Sequence, residues 1–233
     1  MTALLIETAT EICSVAVWRD GVALSAKSAS EPFRHAAMLN VYIQEALEAA
    51  SVETTELEVI GLSEGPGSYT SLRVGAAMAK GIAFALPAIR LYPLSSLRAL
   101  ARSAYARGWS GPLISSQGSR RDEVYACWYA HENDLKQEDI RPVAISVHDP
   151  ALKAFVAGQE KVHICGSGSL KIADALASPA MVLHEEHLPT AAYLGPELEA
   201  ALTANRQAAD VASFEPLYLK PPFVTVPKKR SLL

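Results

Sequence analysis

Between residues 22 and 50 the spacing of apolar positions changes from every second residue to every third and fourth, and that change restricts the chain to a mixed α/β fold. Before it lie three short apolar runs, residues 2–9, 12–19 and 22–29, joined around Thr10-Glu11 and at Asp20-Gly21. Tight turns between short runs predict an antiparallel meander. Cys13, Val15 and Val17 alternate with Ser14 and Ala16, which predicts a sheet covered on one side. After the change, Leu39, Ile43, Ala46, Leu47 and Ala50 mark the apolar stripe of a helix over 34–50.

The next segments extend this frame. Residues 58–63 read as a strand, Glu64 to Ser68 as a loop, and 70–86 as a helix stopped by Pro87. A short strand at 89–92 and a helix at 95–107, capped by Ser95 or Ser96, complete the unit. The order βββαβαβα is the ribonuclease-H-like layout of the actin, Hsp70 and sugar-kinase (ASKHA) superfamily, whose members usually carry two such lobes. A boundary at Gly108 to Gly111 divides the chain into lobes at 1–107 and 108–233. The second is abbreviated: strands at 112–116, 123–130, 140–147 and 161–165, helices at 149–157 and after Gly166-Ser167-Gly168-Ser169, and a helix at 189–205 able to pack back on the first lobe. Residues 221–233, proline-rich with Lys228-Lys229-Arg230, are expected to be extended or mobile.

Charge narrows the function. Lys and Arg number 21 against 25 Asp and Glu, a net charge of −4, which argues against a stand-alone nucleic-acid binder. Cys13, Cys127 and Cys165 form no CxxC pair and read as reduced core residues. Neither a signal peptide nor an 18-residue apolar span is evident, so a cytoplasmic protein is expected.

Candidate chemistry is sparse. Gly65-Pro66-Gly67-Ser68-Tyr69-Thr70 leads into a helix, where backbone amides can cradle phosphate. It lacks the Lys-Ser/Thr ending of a Walker A loop and the third glycine of the dinucleotide fingerprint, so a tight structural turn is the favoured reading. Glu7 and Thr8 end the first strand, where actin-like ATPases place a metal-coordinating Asp, but Ala9 stands where the phosphate loop has glycine. Glu7, Thr8, Gly65, Gly67, Ser68, Gly166 and Gly168 are therefore expected to form at most a vestigial phosphate loop. His35 has Leu39 one turn on, so no helical metal pair exists, and a capping or surface role is expected. His184-Glu185-Glu186-His187 reads as an exposed loop, and His163 with Cys165 as core packing. No Gly-x-Ser-x-Gly elbow is present.

The helix at 70–86 is unusual. Gly75, Ala79 and Ala83 recur every four residues, and a glycine inside a helix costs about 1 kcal/mol relative to Ala. Close approach of another element offsets that cost. This helix and that at 34–50 are apolar beyond one face, which predicts half of a four-helix interface. His35, Leu39, Ile43, Leu47, Arg73, Gly75, Ala79 and Ile82 are the expected interface residues, with Gly75→Leu leaving the monomer folded but unable to pair.

Four segments resemble the bacterial TsaB (YeaZ) family of tRNA threonylcarbamoyladenosine biosynthesis: residues 4–16, the Gly65-to-Gly75 stretch, Arg120-Arg121-Asp122-Glu123-Val124-Tyr125-Ala126, and Pro216-Leu217-Tyr218-Leu219-Lys220. Departures are Glu7 for a usual Asp, Ser71 for a glycine, and Gly118-Ser119 for Asp-Ala. The resemblance implies a non-catalytic subunit that pairs with a TsaD-like catalytic subunit through the two helices, is joined by a TsaE-like ATPase, and meets tRNA only within the complex. It also implies a homodimer when alone, no cofactor or metal of its own, and ATP and metal held by the partners. The alternatives are an ASKHA-type ATPase or phosphotransferase, and a peptidase.

Overall fold

The computed structural model describes residues 1–29, 34–137 and 139–221. The first sheet contains β1 (Thr2–Glu7), β2 (Cys13–Arg19), β3 (Val22–Ala29), β4 (Val59–Gly65) and β5 (Arg90–Ser95) in the order β3-β2-β1-β4-β5. Asp20 and Gly21, with φ of 48° and 90°, make the turn between β2 and β3. Both are positive, and such a turn matches the twist of the strands it joins. β1, β4 and β5 run parallel, so crossover helices must connect them. These are α1 (His35–Ala50) and α2 (Tyr69–Ala85), and α3 (Ser96–Ala106) follows β5.

The second sheet repeats the plan. β6 (Leu113–Gly118), β7 (Glu123–Tyr129), β8 (Val143–Ser146), β9 (Val162–Cys165) and β10 (Met181–His184) lie in the order β10-β9-β6-β7-β8. Read from the other edge this is the same arrangement, with α4 (Pro150–Val156) and α5 (Ser169–Leu176) as crossovers and α6 (Ala191–Thr203) last. β10 has no counterpart in the sequence reading. Four residues are too few for alternation to register, and the strand exists because it pairs with β9.

The last helix of each half packs on the other half's sheet. Leu97, Leu100, Ala101 and Ala104 of α3 join Leu113, Cys127, Tyr129 and Cys165 in one core. Leu194 and Leu198 of α6 cover Leu5, Ala16, Trp18 and Leu94 of the first sheet. Gly195 permits this, because a Cβ there would meet the Trp18 ring well under 3.0 Å away. The indole Nε1 of Trp18 donates to Glu199 at 3.0 Å, and the Ala191 amide donates to Ser14 Oγ at 3.1 Å. The expectation of a one-sided first sheet is thus corrected. Leu4, Ile6, Val15 and Val17 face α1 and α2 while Leu5 and Trp18 face α6, so β1 and nearly all of β2 are buried. All three cysteines are free and buried, and burial pushes the thiols of Cys13 and Cys127 up to about 11 and about 12.

Candidate functional site: the cleft between the lobes

The four segments quoted above meet in one place. A cleft of about 720 Å³ lies between the lobes, lined by Ala9, Thr10 and Glu11 of the β1–β2 hairpin and by Gly67, Ser68, Tyr69 and Thr70 at the start of α2. Arg120, Glu123 and Tyr125 around the β6–β7 turn face it from the second lobe, and Leu217 to Pro221 cross it. The crossing segment touches both lobes. Its Leu217 amide donates to the Glu64 carbonyl at 2.7 Å. The Tyr218 ring lies 4.5 Å from that of Tyr69, and Arg73 sits 4.3 Å over the Tyr69 ring while donating to the Tyr218 hydroxyl at 3.4 Å. Lys220 pairs with Glu123, and that bond holds the Glu123 carboxyl below its ordinary range. Tyr69, Tyr218 and Lys220 did not emerge as site residues from the sequence, because nothing in linear spacing places residue 218 beside residue 69.

The phosphate-loop residues are occupied from within. The Ser68 amide donates to the Ala9 carbonyl at 2.7 Å, and a Cβ on Gly67 would fall on that same carbonyl. The Thr8 amide donates to Ser63 Oγ and the Ala9 amide to Glu7 Oε1, at 3.1 and 2.7 Å. Glu7 and Thr8 are fully buried, and burial lifts the Glu7 carboxyl above its usual range, partly offset by the Ala9 amide. In the second lobe, Gly166 packs on the Ser116 carbonyl and Gly168 on the Gln117 backbone. Of the seven residues expected in a vestigial loop, only Gly67 and Ser68 line the cleft, while Glu7, Thr8, Gly65, Gly166 and Gly168 are enclosed around it. The glycines serve close approach of hairpin and turn.

The helix face differs from the one expected. Leu39, Ile43 and Leu47 of α1 and Ala79 of α2 are buried in the first lobe's own core. Gly75 is explained there too, since a Cβ would meet Thr8 Oγ1 well under 3.0 Å away. The expectation that Gly75→Leu spares the monomer is therefore corrected: a larger residue drives into β1. His35, expected as a capping or surface residue, is buried, and its Nε2 finds no hydrogen-bond partner among the described residues. Ile82 is partly buried against the same core. The outward line of α2 is Arg73, Ala77, Gly81 and Phe84, with Phe84 86% exposed. Nothing lies within 4 Å of where a Gly81 Cβ would sit. On α1, Val41 is exposed. Periodicity had identified the helices correctly but the stripe it found is the one they turn inward.

The turn after β10 is also corrected. Glu185 and Glu186 are exposed, but His187 is buried, and His163, His184 and His187 gather around Trp109. The fold brings Ser103 Oγ to 2.9 Å from His187 Nε2. The pair cannot act as nucleophile and base. The Ser103 hydroxyl donates to the Leu100 carbonyl at 2.8 Å, and His187 Nε2 lies 3.2 Å from that same carbonyl, so this nitrogen carries a proton. Both residues are buried, and Nδ1 has no carboxylate to orient it. Among the described residues no group of three His, Cys, Asp or Glu side chains is placed to hold a metal ion.

Duplicated β3-β2-β1-β4-β5 sheets flanking a cleft define a two-lobed protein of the ASKHA superfamily. Residues 29–220 match the family model described as TsaD, tRNA N6-adenosine threonylcarbamoyltransferase. Three curated relatives are each named tRNA threonylcarbamoyladenosine biosynthesis protein TsaB. That of Escherichia coli is 32% identical over 58% of this chain and 56% of its own, that of Haemophilus influenzae 32% over 54% and 52%, and that of Bacillus subtilis 26% over 94% of each. The matches thus span about half the length of the first two relatives. A solved structure, YeaZ from Pseudomonas aeruginosa, superposes with a TM-score of 0.77 at 26% identity, covering 94% of this chain and 99% of that one. The chain belongs to the threonylcarbamoyladenosine family that this model describes, among its TsaB (YeaZ) members. No described helix is long and apolar enough to cross a membrane.

Proposed function

We propose that this chain is a non-catalytic subunit of the assembly that makes N6-threonylcarbamoyladenosine in tRNA. It docks a TsaD-like catalytic subunit on the outer face of α1 and α2, a TsaE-like ATPase joins the pair, and tRNA is met only through the complex. The names carried by its relatives support the pathway. Gly81 is the observation that supports the docking face. A glycine inside a helix is less stable than Ala by about 1 kcal/mol, and at this position no neighbour among the described residues requires one. An approaching helix from another polypeptide does, and the exposed Phe84 one turn further along α2 supplies apolar area, as does the exposed Val41 on α1. The same face serves a homodimer when the partner is absent. ATP and metal belong to the partner subunits, a reading supported by the Ser68 amide, which is spent on the Ala9 carbonyl, and by the Ala9 amide, which is spent on Glu7 Oε1.

The test is co-elution of the purified chain with a TsaD-like subunit, comparing wild type with Gly81→Arg. Loss of the complex with a melting temperature no lower than that of wild type is expected, since Arg is a better helix former than the Gly81 it replaces. A complex that survives would overturn the docking face. Turnover of ATP by the isolated chain would instead favour the ATPase reading.

A further inference from the structure

The connector between the lobes carries a cluster that neither the cleft nor the helix face uses. Trp109 lies just beyond α3. The His184 ring stacks on its indole with centroids 3.7 Å apart, His163 lies 5.3 Å away and nearly parallel, and His187 is tilted at 4.9 Å. His163 Nδ1 and His184 Nε2 share a hydrogen bond of 2.9 Å. A bond between two imidazole nitrogens requires one of them to offer a lone pair, so the two rings cannot both be charged while it stands.

His187 has the same requirement for a different reason. Its Nε2 points at the Leu100 carbonyl and Ser103 Oγ, which fixes the proton on that nitrogen. Its Nδ1 is buried with no partner among the described residues, so protonation would place a charged N–H where none of them accepts it. The His187 ring stacks on Tyr193 of α6, 5.1 Å away, and Arg107 at the end of α3 donates to the Tyr193 hydroxyl at 2.6 Å. The charges bearing on the three rings are cationic: Lys161, before β9, on His163 and His184, and Arg107 on His187. The acidic groups nearby do not offset them. Glu185 and Glu186 are exposed, and Glu197 of α6 is held by Arg98 and Arg102 of α3. Burial is the main cause keeping all three histidines below their ordinary range.

We propose that Trp109, His163, His184 and His187 form a proton-operated latch that ties the lobe connector and α3 to the β10–α6 turn. The latch is closed while the imidazoles are neutral and opens when they become charged. The closed state needs lone pairs on His163 or His184 and on His187, and acid removes them. Charging adds repulsion among three rings and two fixed cations. The segment released is 185–190, which leads into α6, the helix from the second half that covers the first sheet. Opening would therefore loosen the seat of α6 without touching the first sheet's strand pairing.

The sign follows from the direction of the shifts. In the folded chain the histidines bind protons less readily than in the unfolded chain, so their contribution to stability is complete above about pH 6.5 and declines as pH falls below it. Hydrogen exchange of the full chain at about pH 7.5 and about pH 5.5, corrected for intrinsic rates, reads the latch. We expect protection in 185–193 to fall about tenfold or more at the lower pH while strands β1 and β4 keep theirs. Trp109 emission should change over the same range and Trp109→Phe should remove that change. His187→Phe keeps the stack on Tyr193 and cannot be charged; it should flatten the response. Should that variant fail to fold, His184→Gln serves, since its amide retains a hydrogen bond to His163. Protection in 185–193 that is insensitive to pH would overturn the latch. So would a loss shared equally by every strand, or a response undiminished in the variants that fold.

Discussion

The amide of Ser68 donates to the carbonyl of Ala9 across 2.7 Å, joining the first turn of α2 to the β1–β2 hairpin. In a phosphate loop both groups would be arranged around a ligand. Here the hairpin itself fills the space, and Gly67 is glycine because the Ala9 carbonyl occupies the place of its side chain.

Gly67→Ala should therefore be a stability variant. Its φ lies outside the left-handed region, so the penalty is steric, an overpacking of about 1–3 kcal/mol. Urea denaturation measures it, and an unchanged midpoint would contradict the packing described.

Gly75 and Gly81, on the same helix, should respond in opposite ways. Gly75→Ala crowds Thr8 and lowers the melting temperature. Gly81→Ala meets nothing and should stabilise by up to about 1 kcal/mol. Thermal melts of the two variants side by side decide the matter.

Glu7→Gln should raise stability at neutral pH. Burial lifts the carboxyl of Glu7 in the folded chain, so the folded state gives up this proton less readily than the unfolded state. The resulting destabilisation is absent below the ordinary carboxylate range and grows as pH rises toward the folded value. Unfolding free energies of both proteins across the acid range should converge at low pH and separate above it.

Glu197→Ala should be among the most damaging single changes. Glu197 is buried and receives Arg98 Nε at 3.3 Å and Arg102 Nε at 2.8 Å, linking α6 to α3. Removing one partner of a buried pair costs about 3–5 kcal/mol. Here Arg98 keeps its bonds to the Leu135, Gln137 and Ile140 carbonyls, so the loss falls mainly on Arg102 and belongs at the lower end of that range. Urea denaturation gives the value, and a loss under about 1 kcal/mol would mean that the two arginines find other partners.

Tyr218→Ala should detach the segment that crosses the cleft. The ring contact with Tyr69 and the bond from Arg73 both end in this side chain. Limited proteolysis should then cut near residue 218 faster than in wild type, with the rest of the chain resistant. An unchanged cleavage pattern would show that Leu217 and Lys220 suffice.

Much of the fold was legible because its signals are local. Strand runs, the Asp20-Gly21 turn, the helical stripe from Leu39 to Leu47 and the cap at Ser95 each depend on a few neighbouring residues. Of the tail expected at 221–233, residues 222–233 lie outside the described residues, and Pro221 lines the cleft. The helix read as 189–205 spans Ala191–Thr203. The site was less legible. Four segments were singled out one by one, yet the cleft they line exists only once two sheets face each other.

The apolar pattern alone therefore determined two ribonuclease-H-like halves, since periodicity reports how a backbone must turn to hide its oily positions. Tertiary structure decided which side of each helix stays outside, because Leu39 and Ala79 are claimed by β1, β2 and β4 while Gly81 and Phe84 are not. It also decided that the helices α3 and α6 change places, and that three distant histidines share one tryptophan. Those outcomes rest on contacts between residues far apart in the chain, whose energies appear only when the lobes close on each other.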